Sequence, residues 1–195
     1  MLGQGTWEYT GDEVLGVVPW SAVLNQHFGR EVSSGSTRRS LLKLAALLHD
    51  IAKPQTKAIT NGRMRFLGHA KEGAPITVGI LERLRFTTKE IKLVETMVRY
   101  HLRPMQISHT ELPSRRAIYR YFRDTGEAGI DILFLGLADH LATRGPYLDR
   151  EEFRRHAQTT EYVLVEGSRE ESLPRKLING HDLINIFCLS PGPQI

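Results

Sequence analysis

The chain of 195 residues has a single cysteine, Cys188. One thiol excludes an internal disulfide, so the fold is held by its core, and a reducing compartment is expected. No apolar run approaches the ~20 residues that a membrane helix needs, so no membrane partner is expected. Residues Met1 to Tyr9 lack a basic start followed by an apolar stretch, and no signal peptide is expected from them. Repeats, low-complexity tracts and long linkers are missing too, which argues against a solenoid or a tethered array. Neither sign of charge dominates: 26 basic against 22 acidic residues leave +4. That excess weakly favours a phosphate-bearing partner, although solubility alone accounts for it. With 41% hydrophobic and 25% charged residues the composition is that of an ordinary globular chain. A soluble, cytoplasmic protein is expected.

What the chain does have is centred on residues Leu41 to Pro54. Leu41, Leu44, Ala45 and Leu48 recur at the spacing of one apolar helix face. Leu42 and Leu47 widen the stripe, so this helix is expected to be buried nearly all round. A buried helix that ends in His49-Asp50 needs partners for both groups, because desolvating them unpaired costs several kcal/mol. A metal ion satisfies both at once; hydrogen bonds to neighbouring backbone are the competing account. Lys53 follows one turn after His49, where its ammonium can meet an anion, and Pro54 ends the element.

Helical periodicity dominates the remainder. Asp12 to Phe28 reads as a moderately amphipathic helix interrupted at Pro19, and Arg30 to Ser36 as a loop containing Gly35. Ser36 or Thr37 can cap the central helix. Asn61-Gly62 lies between alternating segments from Lys57 to Phe66, the signature of a small hairpin. Lys71 to Arg85 follows as a helix with Ile76, Ile80, Leu81 and Leu84 on one face. Thr87 or Thr88 caps the next helix, in which Ile91, Val94, Val98 and His101 share a stripe. Pro113 and Ser114 open a helix with Ile118, Tyr119 and Phe122. Glu127 to Ala142 follows, carrying Asp139 near its end, and Asp149 caps a helix through about Val165. Asn179 opens a last short helix. The fold class is therefore all-α with one small β-hairpin.

The run Ala46 to Pro54 resembles the signature of the HD-domain metal-dependent phosphohydrolases. Within that superfamily the chain most resembles the HD region of bacterial tRNA nucleotidyltransferases and poly(A) polymerases. The likeness continues through Arg65 to His69, Tyr100 to Pro104, Leu137 to Pro146 and Ile178 to Leu183, covering about Arg38 to the C-terminus. It implies an HD helical bundle over residues 37–166, a poorly matched segment 1–36, and a C-terminal extension 167–195 that stops where the family continues.

The resemblance also implies a metal-ligand set of His49, Asp50, His69, His101 and Asp139, with Asp50 and Lys53 catalytic and Lys53 and Arg103 on phosphate. Imidazole with carboxylate suits a divalent transition ion, whether manganese, iron, nickel, zinc or cobalt, with magnesium also admissible. Such an ion supports hydrolysis of phosphate esters. Taken singly, His69 also reads as a loop histidine, His101 as a helix-end histidine that suits the dipole, and Asp139 as a partner of Arg144. One departure stands out. The family's mononuclear site uses a histidine well upstream of the His-Asp pair, and the only one here is His27, at a poor interval and in a polar helix-end setting. The site then lacks a ligand, substitutes His69 and His101, or is structural. A second pair, His181-Asp182, has no lysine three residues on and is assigned to structure.

Arg116, Arg120 and Arg123 share one helix face with Tyr119 and Tyr121 interleaved, and Arg99, Arg103, Arg115 and Arg144 extend the positive surface. Such a face suits an RNA backbone and unstacked bases; a solvated helix face is the plainer account. Two functions follow as expectations. One is a metal-dependent phosphohydrolase acting on a nucleotide or RNA end. The other is a non-catalytic tRNA-binding region. The chain shows no strand with paired aspartates, so nucleotide addition would need a further portion.

Overall fold

The computed structural model describes residues 15–33, 35–107, 112–144 and 147–170. The helix start expected at Asp12, Asn179, the pair His181-Asp182, Cys188 and the segment from residue 171 on lie outside the described residues.

Local rules place most elements. Helix α1 (Ala22–Gly29) begins where the Ser21 hydroxyl accepts the Leu24 N–H at 3.3 Å. Strands β1 (Glu31–Ser33) and β2 (Ser36–Thr37) then pair antiparallel around Gly35, whose φ of +87° suits a residue without Cβ. The segment read as a loop is thus a second, very short ribbon. Helix α2 (Arg38–Leu48) opens on a capping box in which Thr37 and Ser40 satisfy each other's backbone N–H groups. Strands β3 (Ala58–Thr60) and β4 (Arg63–Arg65) form the hairpin at Asn61-Gly62. Both turn residues have positive φ, 52° and 71°, as a type I′ turn requires.

Helices α3 (His69–Arg83), α4 (Thr88–Tyr100), α5 (Arg103–Ile107) and α6 (Arg115–Thr125) follow. A 3₁₀ turn (Gly126–Ala128) leads into α7 (Gly129–Arg144) and α8 (Arg150–Glu170). Ser114 caps α6, and the Asp149 carboxylate accepts the Glu151 and Glu152 N–H groups at 2.9 and 3.1 Å to start α8. The chain is a helical bundle with two small antiparallel ribbons.

Its principal core joins α2, α3, α4, α6 and α7 through Leu41, Leu48, Leu81, Val94, Met97, Val98, Ile118, Tyr121, Ile132 and Leu133. A second cluster, Phe28 with Phe134, Leu137, Phe153 and Ala157, docks α1 and α8 against α7. Trp20 stacks on Phe28 with ring centroids 5.5 Å apart.

Two faces differ from the periodicity reading. Helix α2 is not enclosed all round, since Leu47 is 78% exposed and Ala46 also faces out. Its buried side is the Leu41, Ala45 and Leu48 stripe, with Arg38 buried at its start. Helix α3 buries Ala70, Gly73, Ala74, Thr77 and Leu81, whereas Leu84 is exposed. The small face wins because α3 lies close to α4 and to the turn after α2: a Cβ at Gly73 would sit 3.4 Å from Val98 and 3.7 Å from Ala52. Bulkier residues on that face would hold the helices apart.

His27 is also corrected, from a polar helix end to a buried position. Its Nε2 lies 3.3 Å from Asp131, a fully buried carboxylate that also takes Arg38 Nη2 at 2.7 Å. Arg38 further donates to the Glu127 carbonyl at 2.5 Å. This network ties α1, α2 and the start of α7 together.

Candidate metal centre

Four chain turns bring the centre together. His49 follows the last residue of α2, and Asp50 lies in the tight turns that continue it, where Lys53 N–H reaches the Asp50 carbonyl at 2.9 Å. His69 is the first residue of α3, preceded by Gly68 at φ +84°, a left-handed conformation that would strain any residue with a Cβ. His101 caps the C-terminus of α4, and Asp139 lies in the last turns of α7. Helix C-termini carry partial negative charge, so the convergence of α2 and α4 favours a cation between them.

Each histidine is aimed the same way. The Nδ1–H groups of His49, His69 and His101 donate to the carbonyls of Ala46, Phe66 and Val98, at 2.9, 2.7 and 2.7 Å. Those bonds select the tautomer whose Nε2 carries a lone pair, and all three Nε2 atoms point inward. The orienting carbonyl is three residues upstream in every case, a regularity the sequence carries but that only the ring positions make visible.

The five sequence-derived candidates meet. His49 Nε2 lies 3.2 Å from Asp50 Oδ2 and 3.4 Å from Asp139 Oδ1. It is buried and has no hydrogen-bond partner among the described residues. His69 Nε2 lies 3.2 Å from Asp50 Oδ1, with His101 Nε2 3.9 Å from that oxygen. The two oxygens of Asp50 thus serve different sides, one toward His49, which also meets Asp139, and the other toward His69 and His101. His69 Nε2 and His101 Nε2 are 3.1 Å apart. With both Nδ1 atoms protonated, these are two facing lone pairs, an arrangement that a cation between them relieves. Among the described residues, His49, Asp50 and His101 form the group whose donor atoms all fall within 4.8 Å of one another. The donor set therefore fits a divalent ion.

Protonation preferences differ across the centre. Burial pushes His101 down to about 4, and the imidazoles of His49 and His69 beside it act in the same direction. Burial also pushes His49 downward, but the Asp139 carboxylate, the Ala46 carbonyl and Asp50 outweigh it and raise the group above 6.5. Asp139 is held below the usual carboxylate range, chiefly by His49.

Lys53 reaches the rim, where its ammonium contacts Asp50 Oδ2 and lies 5.8 Å from the Phe66 ring centroid. Sequence reasoning missed Phe66, whose carbonyl orients His69 and whose ring faces Lys53. The basic candidates lie elsewhere. Arg103 is bound to Asp124, Arg123 to the same carboxylate at 2.7 Å, Arg115 to Glu166 at 3.4 Å, and Arg144 to Glu152 at 3.4 Å rather than to Asp139. Arg99 is bound to Glu95 at 2.6 Å. Arg116 and Arg120 are exposed and form no ion pair among the described residues. Tyr119 is 57% exposed, but Tyr121 is fully buried with its hydroxyl on the Gly129 carbonyl at 2.6 Å, so it cannot stack on a base.

Comparison with known proteins adds the following. A family model described as HD domain matches residues 12–144. An A-adding tRNA nucleotidyltransferase of Deinococcus radiodurans is 34% identical over 159 residues, covering 80% of this chain and 35% of that protein. A CC-adding tRNA nucleotidyltransferase of Thermus thermophilus is 34% identical over 157 residues, covering 78% of this chain and 33% of that protein. The chain thus spans about a third of the length of these relatives.

Proposed function

The chain belongs to the HD domain family, and from that premise we propose that its helix-end cluster is a metal-dependent phosphohydrolase centre. The substrate class is a phosphate ester of a nucleotide or an RNA end, and the chain is the HD region of a tRNA nucleotidyltransferase-like protein. The observation that carries this reading is the pair of inward imidazole nitrogens, His69 Nε2 and His101 Nε2, facing each other at 3.1 Å beside Asp50.

His49, Asp50, His69, His101 and Asp139 would hold the ion. A divalent transition ion held there would acidify water and draw charge from a phosphoryl oxygen. The chain's own groups do the rest. The backbone carbonyls of Ala46, Phe66 and Val98 fix the imidazoles, so little reorganisation is needed on binding. Lys53, half-exposed at the rim, supplies positive charge to the phosphate that the cluster receives. Asp139, kept ionised by His49, stays an acceptor at neutral pH.

The test is elemental analysis of the dialysed protein, then assay with a chromogenic phosphodiester and a 2′,3′-cyclic nucleotide. About one to two equivalents of metal and slow hydrolysis are expected, both lost in Asp50→Ala because Asp50 serves both sides. Equal hydrolysis by the Asp50→Ala protein would assign the activity to something else.

A second reading rests on a different face. Arg116 and Arg120 project from α6 without acidic partners among the described residues, next to exposed Tyr119. Together with the two relatives named as tRNA nucleotidyltransferases, this supports a non-catalytic role in holding tRNA. Binding of tRNA by metal-stripped protein separates the two readings.

A further inference from the structure

We propose that Lys53 is a tethered competitor for the ion at Asp50, and that metal binding frees its ammonium to take the substrate phosphate. This deepens the metal-centre reading above and rests on it. Asp50 is the residue that every part of the cluster shares: Oδ1 faces His69 and His101, while Oδ2 faces His49. Lys53 places its ammonium on that same Oδ2. An ammonium in contact with a donor oxygen and a divalent ion on that oxygen repel strongly at such short range in a half-buried site. The two cations therefore compete for that oxygen.

Lys53 also has somewhere to go. Its side chain is 36% exposed, and its ammonium lies 5.8 Å from the Phe66 ring centroid, within cation–π range. Rotation about the lysine stem moves the charge off Asp50 and keeps it over Phe66 at the rim, where an incoming phosphate oxygen meets it. Phe66 is well placed for this because its carbonyl already fixes His69. Anion affinity thus becomes conditional on metal occupancy: without metal, Asp50 neutralises Lys53, and with metal, Lys53 is available. Linkage makes the coupling reciprocal, so phosphate that captures Lys53 strengthens metal binding.

The experiment titrates Mn²⁺ into the metal-stripped full chain by calorimetry, with and without inorganic phosphate, for the parent, Lys53→Met, Lys53→Gln and Lys53→Arg. Circular dichroism checks that each variant is folded. The two neutral variants should bind Mn²⁺ about tenfold tighter than the parent in the absence of phosphate, a factor set by the loss of one repelling charge. Lys53→Arg keeps the charge and should stay near the parent. Phosphate should tighten Mn²⁺ binding several-fold more in the parent than in Lys53→Met. Equal or weaker Mn²⁺ binding by both neutral variants overturns the proposal while leaving the metal centre standing, and so does Lys53→Arg binding as tightly as Lys53→Met. Absence of Mn²⁺ binding in all four proteins would instead remove the metal-centre reading, and this proposal with it.

Discussion

At the scale of single residues, His49 and His101 respond to acid in opposite ways. His49 is raised above 6.5, so its Nε2 is protonated in mildly acidic solution, and an incoming ion must displace that proton. His101, at about 4, stays neutral through the same range. Apparent metal affinity should therefore fall with acid once the pH drops below the His49 value; affinity that does not change across that range would contradict the assignment. Without metal the stability linkages differ in sign. His49 contributes stability that is present below pH 6.5 and lost as pH rises through its raised value. His101 is depressed, so its contribution is lost as pH falls from 6.5 toward 4, where the unfolded chain takes up a proton that the buried ring refuses. The His101 linkage follows chiefly from its burial, and the His49 linkage from the Asp139 carboxylate, the Ala46 carbonyl and Asp50.

At the scale of elements, the start of α4 shows how a cap carries tertiary weight. Thr87 and Glu90 form a capping box, with Glu90 Oε2 accepting the Thr87 N–H and hydroxyl, both at 2.7 Å. Burial alone would raise the Glu90 carboxyl, but hydrogen bonds from Ser33 and Ser36 in the first ribbon and from Thr87 bring it down to about 2. Its folded value lies below the ordinary glutamate value of 4.5, so it stabilises above that pH, and the contribution is lost as pH falls from 4.5 to about 2. Replacing Glu90 by Ala should cost about 1 kcal/mol at pH 7. It should also remove this acid-limb dependence, read as urea midpoints at pH 7 and pH 3. Because α4 ends in His101, loosening its start tests whether the centre depends on one rigid helix. Metal affinity should change little, since the His101 end is packed through Val94, Met97 and Val98.

At the scale of the whole molecule, two features carry expectations. Asp131 is the fully buried junction of His27 and Arg38, joining α1 and α2 to α7. Asp131→Ala leaves a buried guanidinium without its carboxylate and should destabilise the protein by about 3–5 kcal/mol, measured by equilibrium denaturation. The second feature is the outer face of α6. The expected basic face set Arg116, Arg120 and Arg123 together with Arg115 beside them, but Arg115 and Arg123 already contact Glu166 and Asp124. Arg116 and Arg120, two charges without an acidic partner among the described residues, give a log–log salt slope near −2, or about tenfold weaker RNA binding between 50 and 200 mM salt. Reversing both to Glu should abolish that binding without unfolding an exposed helix. Unchanged affinity for tRNA at every salt concentration would leave the face as solvated surface.

The sequence by itself determined what short-range physics controls. Thr37, Thr87, Ser114 and Asp149 cap helices where they were expected, because a hydroxyl or carboxylate beside the first turn answers to local geometry. Asn61-Gly62 made its hairpin for the same reason, and His49-Asp50 marked the centre because adjacent polar groups at an apolar helix end need partners. Tertiary structure alone decided which distant groups meet. His69 and His101 face each other across 32 residues, and His27 finds Asp131 across 104 residues rather than joining the candidate metal centre. It likewise exposed Leu47 and buried Tyr121, and it gave Arg99, Arg103, Arg115, Arg123 and Arg144 acidic partners. Helical period states that a face is apolar, but which face is covered depends on how closely the neighbouring helix approaches. Small residues such as Gly73 and Ala74 set that approach only once the partner helix is in place.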